Sequence, residues 1–96
     1  MMVVITYDVE TQTPAGRKRL RLVAKECQNY GIRVQNSVFE CVLDNSQFIR
    51  LRSILSNLIN PDKDTIRFYF MGNNWDRHIE TIGITRGINP TSVSIV

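Results

Sequence analysis

The sequence contains few of the residues that mark the commonest catalytic and structural sites. It has two cysteines, Cys27 and Cys41, outside any CxxC pair, and one histidine, His78, so neither a zinc site nor a disulfide framework is predicted. Gly-rich phosphate loops, GxSxG and HExxH are absent, which argues against the enzyme classes that use them. Both cysteines occupy apolar positions and are predicted to be reduced thiols of the core.

Long apolar runs are also missing. The apolar start, residues 1–7, is too short for a membrane span or for the hydrophobic part of a signal peptide, and no basic segment precedes it. We therefore predict a cytoplasmic protein without membrane contacts. Repeats, low-complexity tracts and linkers are absent, and 96 residues suffice for one core, so residues 1–96 are predicted to form one domain.

Acidic residues are scarce between residues 11 and 35, where Glu26 stands alone. The same stretch carries six cations: Arg17, Lys18, Arg19, Arg21, Lys25 and Arg33. Such a patch is typical of a polyanion site, although a solvated helix face would have the same composition. Because cations near a helix start oppose the helix dipole, stability alone does not favour them there. We interpret Arg17, Lys18, Arg19 and Arg21 as nucleic-acid-binding residues.

Apolar periodicity predicts alternating strands and helices. The strands are Met2–Val9, Arg33–Leu43, Asp64–Met71, Arg77–Ile84 and Thr91–Val96, and the helices are Gly16–Tyr30 and the segment between Asp44 and Asn60. Gly31 is expected to end the first helix in a left-handed conformation. This order predicts an α+β, ferredoxin-like split βαβ sandwich, with an antiparallel sheet, helices on one face and an extra C-terminal strand.

The sheet is predicted to carry apolar residues on both sides, because both faces of the strand Arg33–Leu43 do so toward its far end and Val4 adds to the second face of the first strand. Val3, Ile5 and Tyr7 share one face, whereas Val4, Thr6 and Asp8 share the other. Two helices can cover only one face of such a sheet, so the open face needs a partner. A homodimer through the open face is the simplest arrangement, and the terminal strand would have no partner within its own chain.

Asp8 is the candidate metal ligand, because it ends the first strand on the open face. Mg²⁺ usually takes one or two carboxylates and completes its octahedron with waters and substrate phosphates. A two-fold axis near Asp8 would supply a second carboxylate. The alternative is that Asp8 only caps the following loop. Ser37 and Tyr69 are further candidates for binding phosphate oxygens.

Four segments together resemble a known family. They are Ile5-Thr6-Tyr7-Asp8, residues 16–20 (GRKRL), residues 34–40 (VQNSVFE) and residues 66–69 (IRFY). In this order they resemble the small CRISPR-associated endonuclease of the second core family, the partner of the CRISPR integrase in spacer acquisition. Residues 36–40 and 72–75 look especially like the branch found with subtype I-C systems. The resemblance covers nearly the whole chain.

The resemblance implies specific roles for several residues. Asp8 matches the family's metal-binding aspartate and Tyr7 its catalytic neighbour. Arg17 and Arg19 match basic residues of the first helix, and Arg33 and Phe39 match positions tied to nuclease function. The implied protein is a homodimer with opposed sheet faces, in which residues 85–96 pair with the partner protomer.

The resemblance also implies two alternative activities. One is cleavage of RNA or duplex DNA with Mg²⁺ or Mn²⁺ as cofactor. The other is a non-catalytic, DNA-binding scaffold that assembles with the CRISPR integrase. A third reading, an RNA-binding ferredoxin-like domain, is disfavoured because no aromatic-glycine strand motif of the RNA-recognition type occurs.

Overall fold

The computed structural model describes residues 1–72 and 78–84, and within them the chain forms five strands and two helices. In chain order these are β1 (Met2–Asp8), α1 (Pro14–Gln28), β2 (Gly31–Gln35), β3 (Val38–Val42), α2 (Asn45–Leu58), β4 (Thr65–Phe70) and β5 (His78–Gly83). The strands lie side by side in the order β2-β3-β1-β4-β5, and every neighbouring pair is antiparallel. The predicted α+β, ferredoxin-like fold is confirmed.

The core lies between the helices and one face of the sheet. In β1, Val3 and Ile5 are fully buried and Tyr7 is nearly so, as the alternation predicts. Both helices pack an apolar stripe against this face, with fully or largely buried Val23, Ala24, Cys27, Phe48, Leu51 and Leu55 and partly buried Leu20, Tyr30 and Leu58. The sheet therefore has a covered face, toward the helices, and an open face.

The two cysteines are core thiols, as predicted. Cys27 and Cys41 are both fully buried and unoxidised. Burial, helped by their mutual repulsion and by Glu26, raises the pKa of Cys27 to about 12, and burial raises that of Cys41 to about 11. Thiols in this state are poor nucleophiles, so we assign them to packing.

The prediction of one strand over Arg33–Leu43 is wrong. The chain turns at Asn36 and Ser37, and β2 and β3 pair with each other as a hairpin with a register shift between Arg33 and Gln35. The apolar alternation of the sequence continues across the turn, so the pattern did not indicate a break in the strand. The preference of Asn and Ser for turns was the local signal of that break.

Gly31 does not end α1 in a left-handed conformation. The helix is followed by Asn29 in a right-handed conformation, and Gly83 is the only residue with positive φ in the ranges described. Gly31 instead opens β2, where a Cβ atom would collide with the Glu40 carbonyl oxygen and the Cys41 Sγ. Glycine is needed here because two backbones approach closely.

Two features of the sequence analysis lie outside the described residues: residues 73–75 of the segment that resembles the subtype I-C branch, and the terminal strand Thr91–Val96 with the pairing of residues 85–96 to a partner. The predicted strand Arg77–Ile84 is confirmed over His78–Gly83. Neither helix is long and apolar enough to cross a membrane in the part of the chain described.

Candidate nucleic-acid and metal site

A shallow cavity lies on the open face, where β1 and β4 pair. Its volume is about 240 Å³, and it is lined by Thr6, Tyr7, Asp8, Thr65 and Arg67. In the register of the two strands, Thr6 lies opposite Arg67 and Asp8 opposite Thr65. Paired residues of neighbouring strands project to the same face, so these four side chains share the open face. The cavity therefore combines a carboxylate, a guanidinium and two hydroxyl groups on two neighbouring strands.

Asp8 is exposed at the end of β1, as predicted. Its carboxylate has no hydrogen-bond or ion-pair partner among the described residues. The alternative role, capping the following loop, is therefore not observed there. An exposed carboxylate without an internal partner is available to a ligand.

Tyr7 lies next to Asp8 in sequence, but its ring belongs to the covered face. The residue is 6% exposed, its hydroxyl donates to the Asn36 carbonyl oxygen at 3.2 Å, and its ring stacks on Phe39 with centroids 6.2 Å apart. Burial raises the pKa of the phenol, and the nearby Arg33 guanidinium offsets only part of that effect. The side chain thus stays protonated and holds the end of β1 against the β2–β3 hairpin.

The structure brings Tyr7 together with three other predicted site residues. The Arg33 guanidinium carbon lies 5.2 Å from the centroid of the Phe39 ring, and the Ser37 carbonyl oxygen accepts a hydrogen bond of 3.1 Å from the Tyr7 N–H. Phe39 is fully buried, so it can act on a ligand only by supporting Arg33, which is exposed. Tyr7, Arg33 and Phe39 lie across the sheet from Asp8.

Most cations of α1 point into solvent. Arg17, Lys18, Arg21 and Lys25 are exposed. Thr13 caps this helix by accepting the Gly16 N–H at 3.0 Å, Pro14 opens it, and the first turn contains no acidic residue. Exposed cations fit both of the readings that the composition left open, phosphate binding and a solvated face.

Arg19 differs from its neighbours because it is largely buried and ion-paired, whereas Arg17 is exposed and only donates a hydrogen bond of 3.0 Å to the Thr11 carbonyl oxygen. Its Nε donates to Asp64 Oδ2 at 2.7 Å, its Nη2 lies 3.6 Å from Glu10 Oε1, and its side chain is 17% exposed. Asp64 is fully buried and also accepts the backbone N–H groups of Asn60 and Glu10, at 2.9 and 3.0 Å. In the described fold, Arg19 therefore joins α1 to the segments that flank β1 and β4.

The surroundings of Asp64 keep it charged. Burial alone would raise the pKa of its carboxyl, but the hydrogen bonds and charge of Arg19 and the two backbone donors outweigh burial and lower that pKa. Sequence reasoning missed Asp64 as a functional group, because its partner Arg19 stands 45 residues away. The local signal for Asp64 in the sequence is an acidic residue immediately before an apolar strand.

Sequence analysis gave Arg67 no functional role. It is half-buried in the middle of β4, and within residues 1–72 and 78–84 its guanidinium has no hydrogen-bond or ion-pair partner. Tyr69, two residues further along β4, is also half-buried on this face. The signal for Arg67 was present in the sequence as a cation at a central, alternating strand position.

The residues fit a hard cation only in part. No group of three or more His, Cys, Asp or Glu side chains is placed to hold a metal ion in the ranges described. Asp8 alone offers a free carboxylate at an open cavity, which suits an ion that takes one or two carboxylates and otherwise binds water and phosphate. The geometry is therefore that of one ligand, and the remaining positions would come from substrate, water or a second protomer.

Comparisons with known proteins agree with one another. The sequence model of the family described as "CRISPR associated protein Cas2" matches residues 1–79. The chain is 58% identical over 83 residues to the "CRISPR-associated endoribonuclease Cas2" of Chlorobaculum tepidum, covering 86% of each protein. It is 53% identical over 89 residues to the "CRISPR-associated endonuclease Cas2" of Halalkalibacterium halodurans, covering 93% of each. The crystal structure of Streptococcus pyogenes Cas2 superposes with a TM-score of 0.72 at 57% identity, over 86% of this chain and all of the other.

Proposed function

From the premise that this chain belongs to the CRISPR-associated Cas2 family, we propose that it is a metal-dependent endonuclease of CRISPR adaptation. The observation that carries the proposal is Asp8, an exposed carboxylate without a partner among the described residues, in a cavity on the open face. The names of the relatives, endoribonuclease and endonuclease, support phosphodiester hydrolysis as the reaction. Assignment to the subtype I-C branch stays a prediction.

Asp8 would hold the Mg²⁺ or Mn²⁺ ion. When bound, such an ion polarises a phosphoryl oxygen and lowers the pKa of a coordinated water, which supplies the nucleophile. Tyr7 would contribute from the core: its packing on Phe39 and its hydrogen bond to Asn36 fix the backbone from which Asp8 projects. No other acidic side chain lines the cavity within the described residues, so the chemistry would depend on the charge of Asp8.

A homodimer through the open face would complete the site. Several large apolar side chains on the strands are exposed, among them Ile32 at 73% and Val42 at 71%. Burying them against a second copy would stabilise a dimer and bring a second Asp8 toward the first. By the family resemblance, residues 85–96 would extend the partner's sheet, and the dimer would assemble with the CRISPR integrase.

The nucleic acid would be bound through its phosphates. The exposed cations of α1 and the Arg33 guanidinium provide contacts without base reading, so both RNA and duplex DNA are candidate substrates. This also supports the second candidate function, a non-catalytic scaffold that holds DNA for the integrase, because phosphate binding by α1 does not require Asp8.

The deciding experiment compares Asp8→Asn with wild type. Cleavage of matched single-stranded RNA and duplex DNA is measured with Mg²⁺, with Mn²⁺ and with a chelator, and Asp62→Asn serves as the control because it removes another exposed carboxylate. We expect Asp8→Asn to lose on the order of 100-fold or more in rate, as loss of a metal ligand exceeds loss of its supporting groups. Binding should persist and weaken with salt in both proteins.

The opposite result would exclude the enzyme and favour the non-catalytic scaffold. If Asp8→Asn cleaves as fast as wild type, in preparations free of contaminating nuclease, the metal-dependent enzyme is excluded. Salt-dependent binding by both proteins would then support the second candidate function, a non-catalytic DNA-binding scaffold.

A further inference from the structure

We propose that Arg67 is a second ligand-binding residue of the Asp8 cavity, where it binds the non-bridging oxygens of one phosphodiester. This inference rests on the proposed function, because it names the group that would hold the substrate's phosphate beside Asp8. It goes beyond that function in placing a phosphate contact on the sheet rather than on the cations of α1.

The position of Arg67 is fixed by the sheet. It lies in the middle of β4, between the fully buried Ile66 and Phe68, and pairs with Thr6 on β1 and Thr81 on β5. A side chain on a central strand starts from a backbone held on both sides, so its direction is set before a ligand binds. Exposed cations on a helix surface have no comparable constraint.

The guanidinium of Arg67 lacks an acceptor in the described part of the chain. Arg19 pairs with Asp64 and Arg52 with Glu80, whereas Arg67 makes no hydrogen bond or ion pair there. A half-buried guanidinium carries five N–H donors and loses part of its hydration without compensation. An oxyanion that enters the cavity would satisfy several of these donors at once.

A phosphodiester is the oxyanion that best fits this surrounding. The planar fork of arginine matches two oxygens of a phosphate, and the cavity is open to solvent along one side of the sheet. Thr6 and Thr65 line the same cavity, but Thr65 already donates its hydroxyl to the Ile84 carbonyl oxygen. Arg67 is therefore the strongest donor that faces the cavity.

The competing occupant is a carboxylate of a second copy of the chain. Asp8 and Glu40 are exposed acids of the open face, since Glu40 pairs with Val4 in the register of β1 and β3. Either could reach Arg67 of a partner in a face-to-face dimer. We favour the phosphate because Arg67 lines the same cavity as Asp8, where an ion held by Asp8 under the proposed function would also bind a substrate phosphate.

The test measures binding without cleavage. Wild type, Arg67→Gln, Arg67→Lys and Arg50→Gln are titrated with a short duplex DNA and a short RNA in chelator, over a series of salt concentrations. Arg50 is a suitable control because it is an exposed cation on α2, remote from the cavity in sequence and fold. The oligomeric state of each variant is followed by ultracentrifugation.

We expect Arg67→Gln to weaken binding about tenfold and to lower the slope of log affinity against log salt by about one, as loss of one phosphate contact predicts. Arg67→Lys should keep the slope but lose part of the affinity, because lysine cannot form the bidentate pair. Arg50→Gln should change the affinity less than Arg67→Gln does.

Two results would overturn the inference. In one, Arg67→Gln binds nucleic acid like Arg50→Gln at every salt concentration. In the other, Arg67→Gln and Arg67→Lys become monomeric while each protomer keeps its affinity, which would identify a carboxylate of the second copy as the partner. Neither result depends on cleavage, so failure of Arg67 and failure of Asp8 as the catalytic ligand remain distinguishable.

Discussion

Asp8, the last residue of β1, and Asp64, which immediately precedes β4, lie at the same end of the sheet, yet their surroundings are opposite. Asp8 lies opposite Thr65 in the sheet, and Asp64 immediately precedes Thr65 in the chain. Asp64 is fully buried and accepts hydrogen bonds from Arg19 and from two backbone N–H groups. Asp8 is exposed and accepts none in the part of the chain that the structure describes. The fold therefore supplies hydrogen-bond donors to the carboxylate of Asp64, whereas its described part supplies none to the carboxylate of Asp8.

The difference shows how this small domain divides its charged groups. A buried carboxylate is tolerated only with good partners, and the Asp64 cluster uses them to join α1, the end of β1 and the start of β4. Such a group stabilises the fold but has no capacity left for a ligand. Asp8 and Arg67 keep that capacity, because their strand positions hold them while the described chain provides no partner.

The largest expected effect concerns the satisfied charge. Asp64→Ala should lower the free energy of unfolding by about 3 kcal/mol, because it leaves a partly buried guanidinium and two backbone donors without their acceptor. Asp62→Ala, in the same loop but exposed, is the matched control and should behave like wild type. Urea unfolding of the three proteins measures the difference. Equal midpoints for Asp64→Ala and Asp62→Ala would contradict the role of the cluster.

A smaller effect follows from the lowered pKa of Asp64. A carboxyl whose pKa is lower in the folded state contributes stability above its unfolded pKa, about 3.9, and loses it as the pH falls through the folded value. The gap in unfolding free energy between wild type and Asp64→Ala should therefore be constant near neutral pH and shrink below about pH 4. Urea unfolding at a series of pH values measures the gap. A gap that grows on acidification would show that Asp64 is protonated in the folded protein.

Much of the fold could be predicted because its signals are local. The alternation along β1 placed Val3, Ile5 and Tyr7 on one face correctly, and all three are buried in the core. The hairpin between β2 and β3 was missed because apolar alternation runs through its turn, so periodicity outweighed the short turn signal at Asn36 and Ser37.

The candidate site was predictable only in part. The exposure of Asp8 follows from its alternate position at the end of a strand, which sequence supplies. The burial of Arg19 could not be predicted from sequence. Arg19 differs from the exposed Arg21 through its ion pair with Asp64, which comes near only when the chain folds. A run of cations in sequence thus contains both internal and external residues, and only tertiary contacts distinguish them.

The smallest expected effect concerns the unsatisfied charge and completes the comparison. Asp8→Asn keeps the shape of the side chain and removes a charge that has no described partner, so the free energy of unfolding should stay within about 0.5 kcal/mol of wild type. Urea unfolding in chelator, beside Asp64→Ala, measures this without the stabilisation that a bound ion would add. A loss as large as that of Asp64→Ala would mean that Asp8 has a structural partner and would remove the basis for treating it as a ligand site. An unchanged midpoint, together with lost cleavage, would separate the two aspartates by what each charge does: one stabilises the chain, and the other acts on what the chain binds.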